Sequence, residues 1–195
     1  MIEGRVPNEF IARSNERVVA EYQTVSRELD LQEPLHIANP ACGLDTSLSV
    51  AFPQSPIYYI DTDPHVVSAL QRANLGPLAH IIHGSLIDEH VEDIDLVVLR
   101  SAIIPGVKQS EVVSAATQTL KSDGIVVASH YAMADTAKAL ERMREFSLVG
   151  RISSGTPQQS VHFDRGDVRS LAKSLRRDSS IPSQFGGVTF IFRKR

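Results

Sequence analysis

The sequence predicts an α/β domain built on a doubly wound, largely parallel sheet. Two observations carry this reading. Helix-like and strand-like hydrophobic patterns alternate almost from end to end, and the strand segments are apolar on both faces, as strands covered by helices on either side must be. A length of 195 residues suits one domain. The expected layout is a single domain over residues 1–195, opened by an N-terminal helical segment at 8–30 and interrupted by an insertion at 153–187.

Residues 8–29 place Phe10, Ile11, Val18, Val19, Tyr22, Val25 and Leu29 at helical spacing. Pro34 breaks that pattern, and 35–38 form the first strand. A helix over 44–52 ends before Pro53 and Pro56. The second strand, 57–60, leads into a helix over 64–74, with Asp63 as its N-cap and Pro64 at its first position, where the missing N–H costs nothing. Residues 80–83 and the apolar run 94–99 are the third and fourth strands. A helix over 108–120 follows, then a turn at Lys121-Ser122-Asp123-Gly124 and a fifth strand over 125–129. A helix over 132–145, a sixth strand over 147–152 and a seventh over 188–192 complete the pattern. The stretch 153–187 between the last two strands contains a basic helical piece at 167–177. In such a sheet, ligands sit at the carboxyl ends of the strands. Functional residues are therefore expected just after Ala38, Ile60, His83, Leu99 and Ser129.

Composition narrows the partners. Hydrophobic residues make up 42% and charged residues 22%, which argues against pervasive disorder. Twenty Lys and Arg against 23 Asp and Glu leave a net charge of -3, so a general affinity for nucleic acid is not expected. The single cysteine, Cys42, cannot close an intramolecular disulfide or build a thiolate zinc site. No apolar run reaches the ~18–20 residues of a membrane span, and no signal-peptide core is evident, so a cytoplasmic location without membrane contact is expected. Ile2-Glu3-Gly4-Arg5 matches a protease recognition sequence and carries no fold expectation.

The loop Asn39-Pro40-Ala41-Cys42-Gly43-Leu44-Asp45-Thr46 follows the first strand. A dinucleotide fingerprint needs three glycines there, and only Gly43 is present. Asp45 at the helix start suits the helix dipole but repels a phosphate. A cationic or zwitterionic ligand meets no such conflict. Asp61 ends the second strand about 22 residues beyond Asn39, close to the roughly 20 at which an acid meets ribose hydroxyls in such folds.

Residues 39–45, 59–64, 94–99 and 120–130 together resemble the motifs of class I S-adenosylmethionine (SAM) dependent methyltransferases. Thr119-Leu120-Lys121-Ser122-Asp123-Gly124-Ile125 is similar to that family's turn into its fifth strand, and Gly43-Leu44-Asp45-Thr46 to the loop of its leucine carboxyl methyltransferases. Ile60-Asp61-Thr62-Asp63-Pro64 with Ser129-His130 resembles compact members without an assigned acceptor. The resemblance spans roughly residues 10–153 and the final strand. It implies a seven-stranded sheet in the order 3-2-1-4-5-7-6 with the last strand antiparallel, SAM as cofactor, and methyl transfer to an acceptor, expected to be a small molecule.

The resemblance also implies cofactor contacts at Asn39, Ala41, Gly43, Asp45, Asp61, Thr62, Ser85, Leu86, Arg100 and Ser101. Asp61 would take the ribose hydroxyls, Gly43 the methionine part, and Leu86 the adenine. The chain departs from the family pattern at several points. Ala41 and Asp45 stand where glycines are usual, Asn39 where an acid is usual, and Ser85 where an aspartate often meets the adenine amino group. An Asn-Pro-Pro-aromatic motif after the fourth strand is absent, the chain reading Arg100-Ser101-Ala102-Ile103-Ile104-Pro105, which disfavours amino-methylating nucleic-acid and glutamine enzymes.

Methyl transfer is a displacement that positioning and water exclusion accelerate. A protein base is needed only where the acceptor must lose a proton. His130 is placed for that role, and Tyr131 for orienting the acceptor or the sulfonium. Arg100 is expected to pair with Asp95 or, alternatively, with an acidic acceptor. His80, His83 and His90 do not share one face of a strand, so metal ligation is not expected. Cys42 is expected to be a packing residue. The basic residues Arg165, Arg169, Lys173, Arg176 and Arg177 read as a solvated helix face. The alternative to an enzyme is a non-catalytic protein that uses the altered loop 39–45 to bind a SAM-like ligand or a partner.

A loop as long as 153–187 is uncommon inside a compact domain and is usually functional or disordered. It is expected to supply acceptor contacts or homodimer contacts and none to the adenosine. Replacing residues 154–185 by a short turn should leave S-adenosylhomocysteine affinity, measured by calorimetry, nearly intact while abolishing transfer or dimerisation. A collapse of that affinity in a variant that still folds would contradict this division of roles.

Overall fold

The computed structural model describes residues 11–89, 91–99, 109–129, 146–153, 161–162 and 188–195. In chain order the elements are α1 (Glu16–Glu28), β1 (Ile37–Pro40), α2 (Ser47–Ala51), β2 (Ile57–Asp61), α3 (Pro64–Arg72), β3 (Ala79–His83), β4 (Ile94–Leu99), α4 (Gln109–Thr119), β5 (Leu120–Ser129), β6 (Phe146–Ser153), β7 (Val161–His162) and β8 (Val188–Lys194). They form one sheet in the order β3-β2-β1-β4-β5-β8-β6-β7. Strands β1 to β5 pair in parallel, and β8 runs antiparallel to both β5 and β6. The seven main strands thus take the expected order 3-2-1-4-5-7-6, with the chain's last strand antiparallel. The two-residue β7, drawn from within the 153–187 stretch, adds an antiparallel edge beyond the seven.

Alternation along the strands explains why helices cover both faces. Ala38, Ile60, Val97, Leu99, Val126 and Ala128 point into one buried cluster with Ala116 of α4. Ile37, Ile57, Tyr59, Leu96, Val98, Ile125 and Val127 point into the other, against Val18, Tyr22 and Val25 of α1, Leu48 of α2, and Val66 and Leu70 of α3. Each large side chain so buried contributes about 1.5–3 kcal/mol. Among the described residues no helix is long and apolar enough to cross a membrane.

Local expectations change: β1 runs over Ile37–Pro40 rather than 35–38, taking in Asn39 and Pro40, α2 covers only Ser47–Ala51 of 44–52, and two further changes have causes in the hydrogen bonding. The first helix begins at Glu16 rather than at residue 8, because the chain before it is used otherwise. Arg13 bridges to Asp45 in parallel, its N–H donating to the Leu44 carbonyl (3.0 Å) and its carbonyl accepting from Thr46 (3.2 Å). Asn15 then caps the helix by accepting the Arg17 N–H at 3.0 Å. The second change is that the turn at 121–124 lies inside β5. Ile94 pairs with Leu120 and Leu96 with Ile125, so residues 121–124 bulge out of register, with Asp123 at φ 64°. Asp63 and Pro64 start α3 as expected, the carboxylate accepting the His65 N–H at 2.8 Å. The helices expected at 132–145 and 167–177 lie outside the described residues.

Tyr59, fully buried in β2, fastens the sheet to α2. Its hydroxyl accepts the Ser49 N–H at 3.1 Å and shares a hydrogen bond with Ser49 Oγ at 2.8 Å. Burial pushes the phenol up to about 12, against the hydrogen bonds from Ser49. The folded phenol thus holds its proton after an unfolded tyrosine has lost it, so the stability Tyr59 contributes is full below pH 10 and is lost as pH rises towards 12. Tyr59→Phe should cost about 1–2 kcal/mol in urea unfolding at pH 7, and the difference from the wild type should shrink between pH 10 and 12. An unchanged urea midpoint at pH 7 would contradict the fastening role.

Candidate functional site

The carboxyl ends of β1, β2 and β3 converge on a shallow, open cleft lined by Pro40, Ala41, Ile60, Asp61, Thr62, Gly84, Ser85, Leu86 and Ile87. The β1–α2 loop reaches it through two left-handed residues, Ala41 at φ 52° and Gly43 at φ 58°. For alanine that conformation costs roughly 1–2 kcal/mol, whereas glycine adopts it freely. A Cβ at Gly43 would meet nothing within 4 Å, so the loop backbone is bare on that side.

Asp61 organises the cleft. Its Oδ2 accepts the Gly43 N–H at 2.9 Å, its Oδ1 accepts the Asp63 N–H at 3.0 Å, and its backbone carbonyl accepts the Gly84 N–H at 3.0 Å. The exits of β1, β2 and β3 are tied together at this one residue. The Cys42 thiol makes a weak 3.9 Å contact to Oδ2, and the Cys42 N–H donates to the Ile60 carbonyl at 3.3 Å. A carboxylate offers about four acceptor sites, so Asp61 retains capacity for hydroxyl groups. Burial, and then the charge of Asp61, push the Cys42 thiol far above its ordinary range. It stays protonated and packs as a small apolar residue.

Asp45 serves α2. Its Oδ1 accepts the Ser47 N–H at 2.9 Å and also the Ser47 hydroxyl. The start of α2 is therefore already supplied with a negative charge, which disfavours a phosphate there. On the opposite wall, Ser85 Oγ accepts the Ile87 N–H at 3.2 Å, and His83 Nε2 lies 3.2 Å from the Thr62 carbonyl. Leu86 is buried while Ile87 is 46% exposed, giving the wall one packed and one open apolar side chain.

Of the residues read from the sequence, Ala41, Asp61, Thr62, Ser85 and Leu86 line the cleft together. Asn39 is buried in β1 beside Tyr59, and Gly43 and Asp45 are not among the residues that line the cleft. Arg100, Ser101, His130 and Tyr131 lie outside the described residues. Asp95, near the amino end of β4, accepts the His36 N–H at 2.8 Å and pairs with Lys121 at 2.9 Å; its expected partner Arg100 lies outside the described residues. His80 stacks on Tyr58 with ring centroids 4.9 Å apart, and among the described residues no cluster of side chains suits a metal ion. Pro40, Ile60, Gly84 and Ile87 also line the cleft and were not singled out in the sequence. The signal for Ile87 was its place just after the third strand, an apolar residue following Leu86 where the chain leaves the sheet.

No protein-family model matches the chain, and no curated protein matches it by sequence. Solved structures match its fold. N-methyltransferase NodS from Bradyrhizobium japonicum WM9 is 12% identical with a TM-score of 0.61, covering 92% of this chain and 97% of its own. Geranyl diphosphate C-methyltransferase from Streptomyces coelicolor A3(2), solved with Mg2+, geranyl-S-thiolodiphosphate and S-adenosyl-L-homocysteine, is 11% identical with a TM-score of 0.62, covering 90% and 76%. The aTrm5 complex with tRNALeu is 13% identical with a TM-score of 0.56, covering 92% of this chain and 46% of that one. The chain has the class I SAM-dependent methyltransferase fold. At these identities the likeness extends to the fold alone.

Proposed function

We propose that this chain is a SAM-dependent methyltransferase with a small-molecule acceptor. The observation that carries the reading is Asp61: a carboxylate at the end of β2 with unused acceptor capacity, lining a cleft walled by Leu86 and Ile87. That pairing suits a nucleoside, with the acid for two ribose hydroxyls and the apolar wall for a base. The residues fit SAM better than a dinucleotide, because Asp45 already occupies the start of α2 where a pyrophosphate would lie. Gly43 and Ala41 would border the methionine part, Asp61 and Thr62 the ribose, and Ser85 and Leu86 the base, with Asn39 and Asp45 holding the loop from behind. Arg100 and Ser101, after β4, are proposed to complete the same site.

SAM supplies an electrophilic methyl group on a sulfonium. The chain's task is to align an acceptor with that group and exclude water. His130, next in sequence after β5, is proposed as the base for an acceptor that loses a proton, and Tyr131 as a group that orients it. The 153–187 stretch is proposed to contact the acceptor or a second subunit of a homodimer, within a single domain acting in the cytoplasm. A net charge of -3 favours a small molecule over nucleic acid as acceptor. The left-handed bend at Ala41 gives the loop the shape that a glycine would give it, which supports ligand binding over a loop that has lost it.

Calorimetry with S-adenosylhomocysteine tests the reading. The wild type should bind, and Asp61→Ala should weaken binding by about 1–3 kcal/mol, the scale of a lost charged hydrogen bond. Absence of wild-type binding, or an unchanged affinity in Asp61→Ala, would overturn the assignment.

A further inference from the structure

The sheet ends differently at its two edges. One edge is β7, two residues long, which offers another chain little to pair with. The other is β3, five residues in unbroken register with β2, and among the described residues no strand pairs with its outer side. The Ile57 N–H donates to the Leu78 carbonyl at 2.9 Å, and the Gly84 N–H to the Asp61 carbonyl at 3.0 Å. Bonds to one neighbour alternate along a parallel strand, so the N–H and C=O of Ile81 and His83 and the carbonyl of Ala79 turn outward. The Ala79 N–H is already used, donating to the Gly76 carbonyl at 3.3 Å. Sheet edges are commonly blunted by charge, by proline or by a bulge. Residues 78–83 include no Lys, Arg, Asp, Glu or Pro, and their register with β2 has no bulge. Of the large hydrophobic residues exposed among the described ones, Leu78 at 39% and Ile87 at 46% bracket this strand.

We propose that β3 is the contact face of a homodimer, pairing antiparallel with β3 of a second copy about a twofold axis at Ile81. The axis sets Ala79 opposite His83 of the second copy, and His80 opposite its Ile82. At Ile81 the two chains exchange N–H···O=C bonds, and the His83 N–H of each meets the outward Ala79 carbonyl of the other. The two ends of the strand select a second copy as the occupant. Leu78 precedes β3 and Ile87 follows it, so antiparallel pairing carries Leu78 of each copy past Gly84 toward the Ile87 end of the other. Both exposed apolar residues are thus covered by one symmetric contact. No carboxylate, lysine or arginine of the strand meets its like across the axis. His80 is exposed and stacks on Tyr58, and the half-buried Ile82 shares its face of the sheet, so the pairing lays an apolar side chain beside each ring. This face is separate from the 153–187 stretch, whose residues 161–162 form β7 at the opposite edge. The proposal does not depend on which ligand the cleft holds.

Sedimentation velocity on the full chain tests the proposal. The wild type should sediment with twice the monomer mass. His80→Lys places a charge opposite Ile82 of the second copy, and His83→Pro removes an outward N–H without touching the bonds to β2. Both variants should lose the dimer while keeping the wild-type far-UV circular dichroism. In the wild type, raising the concentration from mostly monomer to mostly dimer should slow amide exchange at Ile81 and His83 about tenfold. That readout needs no variant, so it decides even where a substitution prevents folding. A monomeric wild type, as expected of an edge that serves a strand of some other protein, would overturn the proposal. So would a dimer that persists in either folded variant, or exchange at residues 79–83 that is independent of concentration.

Discussion

The carboxylate of Asp61 is the point on which the cleft depends. A parallel sheet delivers its strand ends to one edge, but nothing in the sheet itself fixes the loops that leave it. Here one side chain accepts an N–H from the loop after β1 and another from the turn into α3, while its backbone carbonyl holds the residue after β3. Charge-assisted bonds of this kind are about twice as strong as neutral ones. They hold Gly43 beside the acid, with its backbone bare. The sharp bend at Ala41, unfavourable for alanine in isolation, is kept by the same tether.

Around that point the molecule divides its labour. Core residues on both faces of β1, β2 and β4 are buried and set the sheet rigidly, while Tyr59 binds the sheet to α2 through Ser49. The chain between β3 and β4 is different in kind. Residues 84–89 form turns rather than a helix, and they carry Ser85, Leu86 and Ile87. A loop placed on a rigid scaffold is where recognition commonly resides. At the opposite end of the sheet Asp95 pairs with Lys121, partly exposed and of small energetic weight.

Much of this was legible in the sequence because it depends on patterns of short range. The doubly apolar runs 57–60 and 94–99 announced buried parallel strands, and Asp63-Pro64 announced the start of α3. What was not legible depends on contacts distant in the chain. Phe10 and Ile11 fit the helical period of residues 8–29, but Arg13 pairs with the loop at Leu44 and Thr46, and no local pattern encodes that. The turn at 121–124 was recognised, yet its absorption into β5 as a bulge follows from register with β4. Asp61 was identified by its spacing from Asn39 and by the resemblance. Its second function, holding Gly43 and Asp63, requires the strand ends to meet in space. Ile87 was missed for the same reason, since the turn closed by the Ser85 carbonyl is what brings it to the cleft.

The account stands on the claim that Asp61 is at once the tether of the loops and the acceptor for a ribose. A crystal structure of the chain with S-adenosylhomocysteine tests both halves together. The account predicts ribose hydroxyls within hydrogen-bonding distance of the Asp61 carboxylate, with the Gly43 and Asp63 N–H bonds retained and the base against Leu86. A nucleoside bound elsewhere, or one that displaces Asp61 from Gly43, would contradict it.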